Sequence, residues 1–230
     1  MPGSIVMVHG AFCRGAVFDL FKIRFERAGW RVLAPDLPGH GRNDPPSAVR
    51  GASIATYAGA IADLCAHQSS PPVLIGHSLG GLVAEHACQR TRVSALILIA
   101  PSPAWGTGTA GDLLSWLGLP LMGWSWTSAI TPDRRLAERR FFGEHPGTVQ
   151  DRTLGILSAE SGRALLETYN WWLDPFASTL VNPQRIGAPV LGFAGGRDQI
   201  HSRAMVEAQV GRLGGQTRFI EAAGHWMIGE

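Results

Sequence analysis

The sequence has almost no lysine: Lys22 stands alone, and Arg supplies the rest of 20 basic residues. Against 18 acidic residues the formal net charge is only +2. A nucleic-acid binder needs a clustered positive excess to meet phosphates, so that class is excluded. The Arg bias reads as composition rather than as phosphate recognition. Cysteine is scarce as well. Cys13, Cys65 and Cys88 are odd in number and show no C-x-x-C spacing. That argues against a disulfide framework and a zinc site, and it fits a reducing, cytoplasmic setting. The N-terminus, Met1-Pro2-Gly3-Ser4, lacks a basic region, and the apolar run after it is too short for a signal peptide. Charged residues make up 17% and hydrophobic residues 45%, which excludes a disordered chain. The one long uncharged run, Leu113 to Pro132, could span a bilayer by length. Gly118, Pro120 and Gly123 interrupt it, so it reads as buried or cleft-facing helix pieces and no transmembrane segment is expected.

What is present is a rhythm. Short runs apolar on both faces alternate with helical patterns: strands at 4–8, 31–34, 72–75 and 93–100, helices at 15–28, 54–67 and 79–90. Strands without a polar face, separated by helices, predict a parallel sheet covered on both sides. The rhythm stops near Pro101. Residues 102–185 carry helical patches and no convincing strand, and six of the eight Trp fall there. The rhythm resumes with strands at 189–194 and 217–221 around a helix at 202–213. The expected organisation is an α/β core, 1–101 and 186–230, interrupted by a helical cap at 102–185. An insertion of roughly eighty residues is too long for an ordinary loop.

The predicted strand before residue 76 runs into Gly76-His77-Ser78-Leu79-Gly80-Gly81 and then a helix. G-x-S-x-G alone is weak, since a chain of this composition yields about 0.2 chance matches. Placed between a buried strand and a helix it gains meaning: a tight turn lifts the Ser above the sheet edge, and small neighbours let strand and helix approach. Ser is a poor nucleophile at its own pKa and needs a base and an orienting acid. The next-to-last strand ends in Gly195-Gly196-Arg197-Asp198, and the last in Ala222-Ala223-Gly224-His225. The C-terminal ends of parallel strands share one edge, so Ser78, Asp198 and His225 should meet there, in the order Ser, Asp, His. Asp36 is the other acid considered and reads as a structural turn residue. His77 reads as structural and directed away from the base. His86 and His201 form no metal-ligand pattern.

With His9-Gly10 after the first strand, Asp36-Leu37-Pro38-Gly39-His40-Gly41 after the second and the 76–81 elbow, the chain resembles an α/β-hydrolase over 1–101 and 186–230. The segment from His9 to Ala16 is mildly similar to the methylesterase and hydroxynitrile-lyase branch. The resemblance implies a doubly wound, mainly parallel sheet with a helical cap after the family's sixth strand. By the same analogy the backbone N–H groups of Ala11 and Leu79, with Phe12 as the alternative to Ala11, form the oxyanion hole. The chain opens at a strand matching the family's third and ends five residues after His225, where the family continues into a final helix.

The function expected is cofactor-free, metal-free acyl transfer to water on a small or medium apolar ester. Phe12, Trp105, Trp124, Trp126 and Trp226 are the candidate substrate-binding side chains, because such pockets are mostly apolar. Carbon–carbon bond hydrolysis of a diketone-like substrate and non-catalytic ligand sensing are the alternatives on the same scaffold. A G-x-G-x-x-G at 106–111 is separated from its strand by Pro101 and Pro103 and reads as a hinge rather than a dinucleotide site.

Overall fold

The structure is a computed structural model that describes residues 3–107, 126–132 and 157–229. Strand β1 (Ser4–Val8), β2 (Arg31–Leu33), β3 (Val73–His77), β4 (Ala95–Ile99), β7 (Val190–Gly195) and β8 (Gln216–Ile220) form one sheet, ordered β2-β1-β3-β4-β7-β8. Every neighbouring pair is parallel. The order reverses between β1 and β3, which places a crevice at the carboxyl ends of those two strands.

Alternate side chains of each strand serve two cores. Val6, Val8, Leu74, Leu96 and Leu98 face α2 (Ile54–Ala66), α3 (Leu79–Cys88) and α5 (Arg203–Arg212), meeting Tyr57, Ile61, Leu82, Val83 and Val206. Ile5, Met7, Ile75 and Ile99 face the other way, onto Phe18, Phe21 and Phe25 of the segment ending in α1 (Asp19–Arg27). Trp226, Met227 and Ile228 join this second core, so the residues right after His225 pack on the same side of the sheet as α1.

Local signals account for the boundaries. The expected helix at 15–28 divides into a 3₁₀ turn, Gly15–Phe18, and α1, and Gly29 at φ +88° ends it. Ser53 and Thr56 form a reciprocal cap that starts α2. Between β4 and β7 the expectation of no strand is corrected: β5 (Ala129–Ile130) pairs antiparallel with β6 (Glu160–Ser161), just ahead of α4 (Gly162–Tyr169). Strands of two residues carry no periodicity to read. Among the described residues no helix is long and apolar enough to cross a membrane. Most of the uncharged run from Leu113 and the glycines at 108 and 111 lie outside the described residues.

Candidate active site

Ser78 sits between β3 and α3 at φ +53°, ψ −125°. A non-glycine residue there costs roughly 1–3 kcal/mol and survives only when its surroundings fix it. They do. Ser78 N–H donates to the Ile99 carbonyl at 3.0 Å, and the Ser78 carbonyl accepts from Gly81 at 2.8 Å and from Ser102 at 2.9 Å. A Cβ at Gly76 would collide with the Gly80 carbonyl, and one at Gly80 with the carbonyls of Val8 and His9. The glycines of the motif are therefore demanded by close backbone approach.

The strand ends then bring together the three side chains that the sequence singles out. Ser78 Oγ lies 3.1 Å from His225 Nε2, and His225 Nδ1 lies 2.9 Å from Asp198 Oδ2. An ionised carboxylate only accepts, so Nδ1 carries the proton and Nε2 is left to receive the one on Ser78. The second Asp198 oxygen accepts from the backbone N–H groups of Ile200 at 2.8 Å and His201 at 2.9 Å. Burial works against charge on Asp198, yet the His225 ring, the hydrogen bond to it and the His201 amide outweigh burial and hold the carboxyl below its usual range. Asp36 has the turn role expected of it: its Oδ1 accepts from Gly15 N–H at 2.8 Å.

His77 corrects an expectation. Its ring does not point away from the base but lies 5.1 Å from the His225 ring, and Nε2–H donates to the His225 carbonyl at 3.0 Å. Burial, reinforced by neighbouring His225, lowers its pKa to about 3, so it is a neutral strut behind the imidazole. His9 is likewise held neutral, by burial and by His40, with a pKa of about 4. Its Nε2 accepts from Leu37 N–H at 3.0 Å and its Nδ1–H donates to the Gly10 carbonyl at 2.9 Å. The two loops after β1 and β2 are thereby tied together.

A cavity opens at Ser78, with Ala11, Phe12, Leu157, Leu165, Tyr169 and Trp226 among its walls. Of the candidate binding side chains, Phe12 and Trp226 lie in it. Trp105 does not: it packs edge-on against Trp171 at 5.3 Å. Trp126 does not either: it is 42% exposed, with the Arg163 guanidinium 5.8 Å from its ring centroid. A long apolar side chain in an insertion can bury itself against the insertion or its rim as readily as against a ligand. Trp124 lies outside the described residues. Leu79 opens α3, so its N–H is outside the helical ladder and adjoins Ser78. Phe12 adopts φ +62°, and its N–H is directed at Glu160 Oε2, 3.4 Å away.

Glu160 is the feature that the sequence reading missed. It is fully buried in β6 and accepts from Tyr57 Oη–H at 2.8 Å, from Ser161 N–H at 2.7 Å and from His40 Nε2–H at 3.2 Å. Ser158 N–H donates to the Phe12 carbonyl at 2.7 Å. Both polar ends of the strained Phe12 are thus met by residues 158–160. Burial disfavours charge on both members of the His40–Glu160 pair. Their mutual attraction and hydrogen bond outweigh it, raising the His40 pKa above 6.5 and lowering that of Glu160 below 4.5. Between pH 4.5 and 6.5 the pair is therefore His⁺ and carboxylate, net neutral. Nearby, Glu167 of α4 accepts from Ile54 N–H at the start of α2 and from Arg163. The run Glu160-Ser161-Gly162-Arg163 with Glu167 was the available signal, but its charges alone do not tell a buried ion pair from a solvated helix face.

A parallel sheet of this order with a strained Ser at the β3–α3 turn and an acid and a His at the last two strand ends defines an α/β-hydrolase architecture. The model of the "Alpha/beta hydrolase family" matches residues 5–230, and the chain belongs to that family. It is 39% identical to a pyrethroid hydrolase of Sphingobium wenxiniae over 78 residues, 34% of this chain and 28% of that protein. It is 29% identical to a pimeloyl-[acyl-carrier protein] methyl ester esterase of Stenotrophomonas maltophilia over 247 aligned positions, 96% of this chain and 85% of that one. The fold is similar to that of the methylesterase MES16 from Arabidopsis, with a TM-score of 0.74 at 16% identity over 98% of this chain and 92% of the other. The matches to the first curated relatives span only 28–39% of those proteins' lengths.

Proposed function

We propose that this protein is a serine hydrolase that transfers an acyl group to water, acting as a carboxylesterase on a small or medium apolar ester. The observation that carries the reading is the unbroken hydrogen-bonded line Ser78 Oγ, His225, Asp198 at 3.1 and 2.9 Å at the foot of an apolar cavity. His225 Nε2 takes the Ser78 proton as Oγ attacks the ester carbonyl. Asp198 holds the imidazole tautomer and stabilises the imidazolium. The N–H groups of Ala11 and Leu79 receive the oxyanion. Ala11 is preferred to Phe12 because the Phe12 N–H is directed at Glu160. Collapse of the intermediate hands the His225 proton to the leaving alcohol. Water then repeats the sequence on the acyl-enzyme. None of these steps calls for a metal or cofactor.

Residues 102–185 act as the cap in this reading. Leu157, Leu165 and Tyr169 come from it, and they give the acyl group an apolar wall that keeps water from the oxyanion. The esterase and hydrolase names of the relatives support ester chemistry. The test is hydrolysis of a short-chain nitrophenyl ester by Ser78→Ala. Activity should fall to what the oxyanion hole and binding alone provide, roughly 10³–10⁴ over water. Activity within tenfold of the parent would remove Ser78 from the reaction.

A further inference from the structure

Residues 10–13 pass directly against Ser78. A Cβ added to Gly10 would lie 3.0 Å from Ser78 Cβ, and Ala11, Phe12 and Cys13 all line the cavity. Three successive peptide groups of this loop are each held by a hydrogen bond from a different place. The Gly10 carbonyl accepts from His9 Nδ1–H at 2.9 Å. The Phe12 N–H donates to Glu160 Oε2 at 3.4 Å, and the Phe12 carbonyl accepts from Ser158 N–H at 2.7 Å. In a planar trans peptide the N–H points opposite to the carbonyl. With the Gly10 carbonyl turned onto the His9 ring, the Ala11 N–H is turned away from it, and the bonds to Phe12 fix the far side of Ala11.

Phe12 does not keep this shape for free. Its φ of +62° is the left-handed region, costly for a residue with a side chain. A loop free to relax would rotate the peptide between Ala11 and Phe12. The groups that oppose this come from the segment between β4 and β7 and not from the sheet. Glu160 is itself held by Tyr57, Ser161 N–H and His40, and Ser161 Oγ–H ties the segment to the Ala52 carbonyl at 2.6 Å. The Phe12 ring packs against Leu165 and Tyr169 of the same segment. An oxyanion donor acts only where it is aimed, and a misplacement of about 1 Å can cost roughly 10²-fold in rate.

We propose that Glu160 is a positioning residue for the oxyanion hole: through the Phe12 N–H it fixes the turn that aims the Ala11 N–H at the carbonyl oxygen of the ester. The inference rests on the serine-hydrolase reading above, in which Ala11 N–H receives the oxyanion. It makes residues 158–161 part of the reacting machinery as well as a neighbour of the cavity.

The test compares the intact parent with Glu160→Gln, Glu160→Asp and Tyr57→Phe near pH 6, where the His40–Glu160 pair is net neutral. In Glu160→Gln a neutral His40 can accept from the new amide, so net charge beside the loop is unchanged while the Phe12 N–H loses its acceptor. Rates are taken per Ser78 labelled by a fluorophosphonate, which counts only folded, competent sites. Glu160→Gln should lower kcat/KM on p-nitrophenyl acetate about ten- to hundredfold. It should weaken an alkyl trifluoromethyl ketone, which Ser78 converts to a hemiketal oxyanion, by the same factor. Binding of the matching methyl ketone, which stays planar, should not change. Glu160→Asp keeps the counter-charge for His40 but shortens the reach to Phe12. It should show the same signature to a lesser degree, and it decides the matter if Glu160→Gln does not fold. Tyr57→Phe removes a donor to the other Glu160 oxygen and should lower stability in urea while leaving kcat/KM unchanged. Parent-like kcat/KM in the folded Glu160 variants, equal weakening of both ketones, or the same loss in Tyr57→Phe overturns this inference, while labelling at Ser78 preserves the reading beneath it. Ester turnover by a parent that takes no label at Ser78 overturns both.

Discussion

Replacing Glu160 by Gln tests how residues 158–160 hold the loop beside Ser78. The carboxylate and His40 are both fully buried, and the two Glu160 oxygens take four donors: His40, Tyr57, Ser161 N–H and Phe12 N–H. Gln offers a single acceptor oxygen and two new N–H donors, and it leaves His40⁺ without its counter-charge. Removing one partner of a buried pair costs roughly 3–5 kcal/mol. A loss near 3 kcal/mol is expected here, because His40 can shed its proton in the variant. The measurement is urea unfolding of the parent and Glu160→Gln near pH 6, compared by linear extrapolation. The pH dependence follows from the directions of the shifts. His40 is raised, so its contribution is complete below its ordinary 6.5 and is lost as pH climbs through the folded value. Glu160 is lowered, so its contribution is complete above 4.5 and is lost as pH falls through the folded value. The parent should therefore lose stability on both sides of this window, and the variant should lack the acid-side loss due to Glu160. A destabilisation under about 1 kcal/mol near pH 6 would refute the argument that this pair anchors the segment.

Asp198→Asn should leave the fold intact but favour the wrong His225 tautomer, lowering kcat by roughly 10⁴ in a nitrophenyl ester assay. Asp36→Asn should cost far less, since Asp36 receives Gly15 N–H in a turn; the opposite ranking would reassign the acid. Gly80→Ala places a methyl group against the carbonyls of Val8 and His9 and should destabilise by about 1–3 kcal/mol or more in thermal or urea unfolding.

Much of the core was legible because its signals are local. Val6, Val8, Leu74 and Leu96 alternate with Ile5, Met7, Ile75 and Ile97 in runs that no solvated strand would carry, and Gly29 and Ser53 mark where helices stop and start. Ser78, Asp198 and His225 were legible because parallel topology forces successive strand ends to one edge. The rest depends on tertiary placement. Nothing around Glu160 in the sequence tells that His40 and Tyr57, more than a hundred residues away, converge on it. Tyr169 and Leu157 show no pattern that separates cavity wall from packing, and the Trp residues mislead for the same reason. Trp105 and Trp126 bury or shield apolar surface elsewhere, whereas Trp226 reaches the cavity because it follows His225 directly. His77 needed the return path of the 222–228 segment before its bond to the His225 carbonyl could be seen.

The central claim is that Ser78 is an activated nucleophile, and covalent labelling with a fluorophosphonate probe tests it without knowledge of the substrate. Incubation of the intact protein, followed by whole-protein mass and peptide mapping, should give a single adduct on the peptide that carries Ser78. That adduct should be absent from Ser78→Ala and strongly slowed in His225→Ala. An adduct on another residue, or ester hydrolysis by a protein that the probe leaves unlabelled, would contradict it.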